Sequence, residues 1–140
     1  MVNAVYTAEA TSSGDGRNGK VRSSDGLIDQ DVKMPPALGG PGGGTNPEEL
    51  FAAAYATCFH SALRLVARTK KVAVPAETTV TAAIGIGPDG SSFAVNAVLT
   101  AHLPGLDQST AQELVEGAHQ VCPYSKATRG NIDVDLKVTV

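Results

Sequence analysis

One stretch limits the folds open to this 140-residue chain more than any other: residues 46–71 read as a long, capped, amphipathic helix. Asn46 is a side-chain cap, Pro47 fits the first helical position, and Glu48 and Glu49 suit the positive end of the helix dipole. Glu49 stands three residues after Asn46, the spacing of a capping box. Phe51, Ala54, Tyr55, Cys58, Ala62, Leu65 and Val66 then recur with a helical period. Arg64, Arg68, Lys70 and Lys71 gather near the negative end. Cys58 lies on the apolar stripe, so it faces a core or an interface rather than water.

Strands and turns occupy the first third. Residues 5–11 are rich in β-formers, and Ser13-Gly14-Asp15-Gly16 marks a turn. Residues 20–24 and 28–32 read as a hairpin around Asp25-Gly26, and Pro35-Pro36 ends it because proline lacks the amide for a ladder bond. The glycine-rich stretch 38–45 has neither a following Gly-Lys-Ser/Thr nor a Rossmann spacing, so it reads as a close-packed or mobile connection. After the helix, residues 78–86 and 92–102 read as strands joined by Gly87-Pro88-Asp89-Gly90. A second helix starts from Asp107 or Ser109 and runs to Cys122, where Pro123 breaks or kinks it. Residues 132–140 alternate apolar and polar, a half-buried final strand. No repeat or domain boundary interrupts residues 1–140, which read as a single domain. Runs of strands and long helices with little βαβ alternation favour an α+β fold.

Bulk properties exclude several functions. A net charge of −3 with no basic run offers nothing to nucleic acid or to an anionic membrane. Three Phe, three Tyr and no Trp are too few for base-stacking platforms. The first residues lack a basic start followed by an apolar signal region, and no uninterrupted apolar run approaches the ~20 residues that span a bilayer. The expected compartment is the cytoplasm, where two cysteines more often do chemistry or stay as buried thiols than form a permanent staple.

Cys58 and Cys122, 64 residues apart, fit neither a CxxC redox pair nor a zinc-knuckle spacing. From the residues alone they can be a redox dithiol, part of a metal site or plain core packing. A thiol reacts as thiolate, and apolar surroundings oppose that charge, so a reactive Cys58 needs a cation nearby. Its own helix dipole does not serve, since Cys58 lies about three turns from the helix start. Among Arg17, Arg22, Arg64, Arg68, Arg129, the lysines and a protonated His60, Arg17 is the most suggestive, because the glycines of Gly16-Arg17-Asn18-Gly19 allow close backbone approach. His60 is two residues from Cys58 and does not face it on a helix. With His102 and His119 it has no paired metal-ligand spacing, so no metal is expected. Ser61 sits outside any Gly-x-Ser-x-Gly elbow.

Six motifs run in order along the chain: Gly16-Arg17-x-Gly19, Asp25-Gly26-x-Ile28, Pro36-x-Leu38-Gly39-Gly40, Thr45-Asn46-Pro47-Glu48-Glu49-Leu50-Phe51-Ala52, Cys58-Phe59-x-Ser61-Ala62-Leu63 and Val121-Cys122-Pro123-Tyr124-Ser125-x-Ala127-Thr128-Arg129-Gly130-Asn131-Ile132. Together they resemble the organic hydroperoxide resistance group of the Ohr/OsmC superfamily. The family often carries Gln where Glu49 stands. The resemblance implies antiparallel sheets wrapped around long central helices in an intertwined homodimer. It also implies a thiol peroxidase: Cys58 peroxidatic, Cys122 resolving, Arg17 stabilising the thiolate and Glu48 its carboxylate partner. Phe51, Phe59 and Tyr124 are the expected substrate-binding residues for alkyl or fatty-acid hydroperoxides. The resemblance implies no bound cofactor, with an external dithiol as reductant, dihydrolipoamide or a lipoylated protein.

One straight helix over 47–68 would set Glu48 and Cys58 about 15 Å apart along its axis. One arginine head group cannot touch both from a single helix. Either the helix is broken near its start or Glu48 reaches the site from a second subunit, and a homodimer with packed helices is the expectation. The rival readings are a structural or binding protein with buried thiols, a peroxide sensor, and an OsmC-type peroxidase with other substrate preferences.

Overall fold

A two-residue loop sets the register of the first sheet. Strand β1 (Ala10–Asp15) and strand β2 (Asn18–Ser23) pair antiparallel with Asp15 opposite Asn18, leaving Gly16 and Arg17 as the loop. Gly16 has φ +58°, which a tight hairpin needs and glycine supplies without strain. The expected strand over 5–11 therefore lies later. Pairing runs outward from this turn and takes in Ser13 and Gly14, and most of 5–9 has no partner strand. Strand β3 (Asp29–Val32) adds to β2 through the Asp25-Gly26 turn, as expected. The Asp25 carboxylate accepts from Ser23 Oγ and the Leu27 N–H and lies below its usual titration range for that reason.

The computed structural model describes residues 1–140 and divides into two units, Met1–Leu50 and Phe51–Val140. In the first unit the glycine-rich segment is close-packed: a Cβ on Gly40 would run into the Met34 backbone. Val32 is the only buried hydrophobic residue of that unit, while Val2, Val5, Tyr6 and Leu27 stand almost fully exposed.

Helix α1 (Pro47–Thr69) is unbroken, and Asn46 Oδ1 accepts from the Glu49 N–H at 2.8 Å. The reciprocal half of the capping box is replaced: Glu49 accepts from Thr45 Oγ1 instead. The helix ends in a Schellman motif, with Lys71 N–H on Arg68 O and Val72 N–H on Ala67 O, and with Lys71 at φ +57°. By length and average hydropathy α1 is apolar enough to cross a membrane, but its first turn carries Glu48 and Glu49 and its apolarity comes largely from alanine.

The second unit packs strand β4 (Thr79–Asp89), strand β5 (Ser92–His102), helix α2 (Gln108–Val121), helix α3 (Pro123–Thr128) and strand β6 (Val134–Thr139) around Tyr55, Phe59 and Leu63 of α1. Strand β4 runs through Gly87 and Pro88 to a Gly90-Ser91 turn, beyond the expected end at residue 86. It is an edge strand, where proline is tolerated. Strands β4 and β5 are antiparallel, and β6 joins β5 in parallel after the α2–α3 crossover. Asp107, rather than Ser109, caps α2, accepting from the Thr110 N–H. Gly117 of α2 permits close approach to α1, since a Cβ there would come 2.9 Å from Val66.

Candidate active site

Arg17 and Glu48 meet within the first unit. The hairpin tip presents Arg17, and the first turn of α1 presents Glu48, whose carboxylate accepts two parallel bonds from the guanidinium at 2.9 and 2.8 Å. This fork-to-fork arrangement is the strong form of a charge-assisted pair. Arg17 holds the Glu48 carboxyl below its ordinary range, and Glu48 raises the Arg17 guanidinium.

The second unit assembles the cysteines. Cys58 sits on α1, partly buried, and Cys122 is fully buried between two helices. Cys122 closes α2, its N–H donating to Ala118 O, and precedes α3 with φ −65° and ψ 123°. Pro123 causes that extended backbone by clashing with a helical residue before it. It then opens α3 at the first helical position, where its missing N–H costs nothing. The two sulfurs, expected to be close only if the fold joined them, lie 3.6 Å apart as free thiols.

Burial pushes the Cys58 thiol up from 9.0, and the neighbouring Cys122 sulfur adds to the rise. The Tyr124 backbone N–H, in the first turn of α3, works in the opposite direction. Within its own unit the surroundings of Cys58 thus disfavour the thiolate, which a nearby cation would favour. His60 is not that cation: Arg64 Nε donates to its Nε2 at 3.2 Å, and burial and Arg64 lower its pKa. No three His, Cys, Asp or Glu side chains converge as a metal site.

Phe51, Tyr55 and Tyr124 form an aromatic group with centroids 5.9 to 6.4 Å apart. Tyr124 is exposed and Phe51 partly so. Phe59, expected beside them, is wholly buried in the core and offers no surface, because it follows the stripe of Tyr55 and Leu63. Sequence reasoning missed α3 and the buried polar group around it, Tyr55, Ser125, Thr128 and half-buried His119. The available signal was Pro123 itself, which can begin a helix as readily as it ends one.

Comparison with known proteins places the chain in a family. The family model described as OsmC-like protein matches residues 40–137. An organic hydroperoxide resistance protein of Xanthomonas axonopodis pv. citri is 50% identical over 133 residues, covering 94% of this chain and 93% of the relative. A crystal structure of an organic hydroperoxide resistance protein from Legionella pneumophila superposes with a TM-score of 0.92 at 47% identity, covering 99% of this chain and 100% of that one. The structure of OhrB of Bacillus subtilis gives 0.88 at 43% identity, over 97% and 100% of the two chains. The chain belongs to the OsmC-like family, in its organic hydroperoxide resistance (Ohr) branch.

Proposed function

We propose that this protein detoxifies organic hydroperoxides as a thiol peroxidase, with Cys58 as nucleophile and Cys122 as resolving thiol. The observation that carries the reading is the 3.6 Å approach of two sulfurs 64 residues apart in sequence. A shift of about 1.5 Å closes that gap to a disulfide. The Cys58 thiolate attacks the terminal oxygen of ROOH, the O–O bond breaks, and the departing alkoxide takes a proton to leave as alcohol. Cys58 is then a sulfenic acid. The Cys122 thiol attacks its sulfur, and hydroxide leaves with the thiol proton as water. An external dithiol of the lipoyl type restores both thiols by exchange, a cycle that suits the cytoplasm. Phe51 and Tyr124 give the site an apolar margin that favours alkyl over hydrogen peroxide.

Arg17, oriented by Glu48, is the cation that lets Cys58 ionise. Ten residues of unbroken helix separate Glu48 from Cys58, about 15 Å along the axis. We therefore assign the Arg17–Glu48 pair of one copy to Cys58 of a second. Two features support a homodimer. The first unit buries a single hydrophobic side chain, too little for a three-stranded sheet to persist uncovered. Along α1, Ala53, Thr57, Ser61 and Leu65 recur every four residues and are exposed, so the helix retains an open face.

The test follows the reduced protein with tert-butyl hydroperoxide, and separately hydrogen peroxide, recording thiol loss and turnover with dihydrolipoamide. The organic peroxide is the faster substrate, and Cys58→Ser is inactive. No consumption of either peroxide, or full activity in Cys58→Ser, overturns the reading. A species of 14.3 kDa in dilute-solution sizing removes the shared site.

A further inference from the structure

We propose that Tyr55, Ser125, Thr128 and His119 form a positioning clamp, a one-way hydrogen-bond chain that holds Cys122 within reach of Cys58. The inference rests on the reading that these two cysteines form a disulfide. Tyr55 lies on α1 three residues before Cys58, and its hydroxyl contacts Ser125 Oγ and Thr128 Oγ1, each at 2.9 Å. Ser125 and Thr128 belong to α3, which starts immediately after Cys122. His119, on the last turn of α2, brings Nδ1 to 2.8 Å from Ser125 Oγ. Arg129 Nη1 donates to His119 O and ties the end of α2 to the end of α3. Both flanks of Cys122 are thus bound, through buried hydroxyls, to the helix that carries Cys58.

Proton counting gives the chain a direction. The Thr128 hydroxyl donates to Ser125 O at 3.2 Å, which uses its one proton. The Tyr55 hydroxyl therefore donates to Thr128, and Ser125 donates to Tyr55. Ser125 has no proton left for His119, so His119 Nδ1–H must donate to Ser125. Only this order satisfies all four contacts, which matters because Tyr55 and Ser125 are fully buried. Neutral His119 is consequently the Nδ1–H tautomer, whereas free histidine in water prefers Nε2–H. Protonation of His119 adds a proton at Nε2 and leaves the chain intact.

A merely structural role would weaken the oxidised and reduced forms alike. A clamp that opposes the two thiols instead favours the disulfide, so its loss moves the reduction potential. The full-length protein is equilibrated in dithiothreitol redox buffers and its free thiols counted, for wild type, Tyr55→Phe, Thr128→Val and Thr128→Ser. Tyr55→Phe and Thr128→Val lower the equilibrium constant for the disulfide roughly tenfold, a potential about 30 mV less negative. Thr128→Ser, which keeps the hydroxyl, stays with wild type. Nitrogen-15 shifts report Nδ1–H on wild-type His119 and a move towards Nε2–H in Tyr55→Phe, where Ser125 recovers a free proton. If Tyr55→Phe does not fold, the Thr128→Val and Thr128→Ser pair decides.

Equal potentials across the folded variants, or an Nε2–H tautomer in wild type, overturn the clamp while leaving the peroxidase reading in place. A wild type that forms the disulfide with shifted variant potentials, yet consumes no peroxide, keeps the clamp and removes the peroxidase.

Discussion

Replacing Glu48 by Gln removes one charge and one acceptor while keeping the side-chain shape, so it isolates what the carboxylate does for Arg17. The wild-type pair has two short parallel bonds, at 2.9 and 2.8 Å. The Arg17 side chain is 37% exposed against 13% for Glu48, so water screens much of the attraction. That places the loss near 1 kcal/mol rather than at the value of a buried pair. About 1 kcal/mol is roughly a fivefold fall in the fraction of Arg17 held in place. With Arg17 as the proposed cation for Cys58, kcat/KM for an organic hydroperoxide is expected to fall by about the same factor.

Salt and pH give independent checks on Glu48→Gln. The difference between wild type and variant shrinks at ~1 M salt, where the screening length is about 3 Å. The folded-state pKa of Glu48 lies below its ordinary value of 4.5, with the Arg17 bonds as the main cause. The unfolded chain thus binds the proton first, and the Glu48 contribution is complete above that value and lost as pH falls through the folded-state pKa. The difference in melting temperature between wild type and Glu48→Gln accordingly closes on acidification. Unchanged kcat/KM at low salt, together with parallel acid-unfolding curves, would refute both the pairing and its role.

Two further outcomes follow from local geometry. Cys122→Ala removes one of the influences that raise Cys58. Thiolate absorbance should then appear at lower pH, and peroxide should leave a trappable sulfenic acid; an upward shift would contradict the contact. Lys71 holds φ +57°, so Lys71→Gly should gain on the order of 0.5–1 kcal/mol in urea unfolding, while Lys71→Ala, which keeps the Cβ, should not. Equal stability of the Gly and Ala variants would count against strain at that position.

Elements with local causes were legible in the chain. Asn46, Pro47 and the apolar stripe specify α1 to within a residue or two, and the Asp25-Gly26 turn and the alternation of β6 were read correctly. Elements set by pairing partners were not. Residues 5–9 have β-forming side chains but lie almost entirely outside the ladder, and β4 continues through Gly87 and Pro88 because β5 pairs with it. Phe59 was displaced from the expected substrate surface by helix phase, which turns it into the core one residue after Cys58. The hydroxyl group around Ser125 left no sequence pattern, since its members are joined across up to 73 residues by packing alone.

By itself, the sequence determined which residues have the right chemistry: two thiols, an arginine in a glycine-flanked turn and a glutamate in a helix's first turn. Those assignments depend on side-chain type and on backbone propensities that act over a few residues. Tertiary structure alone decided which of them meet. It joined Arg17 to Glu48 by a hairpin, brought Cys122 to Cys58 across two helices, and set the extended backbone at Cys122 between them. A thiol's distance from another thiol depends on how buried helix faces pack, and that is a property of the whole core rather than of any local stretch.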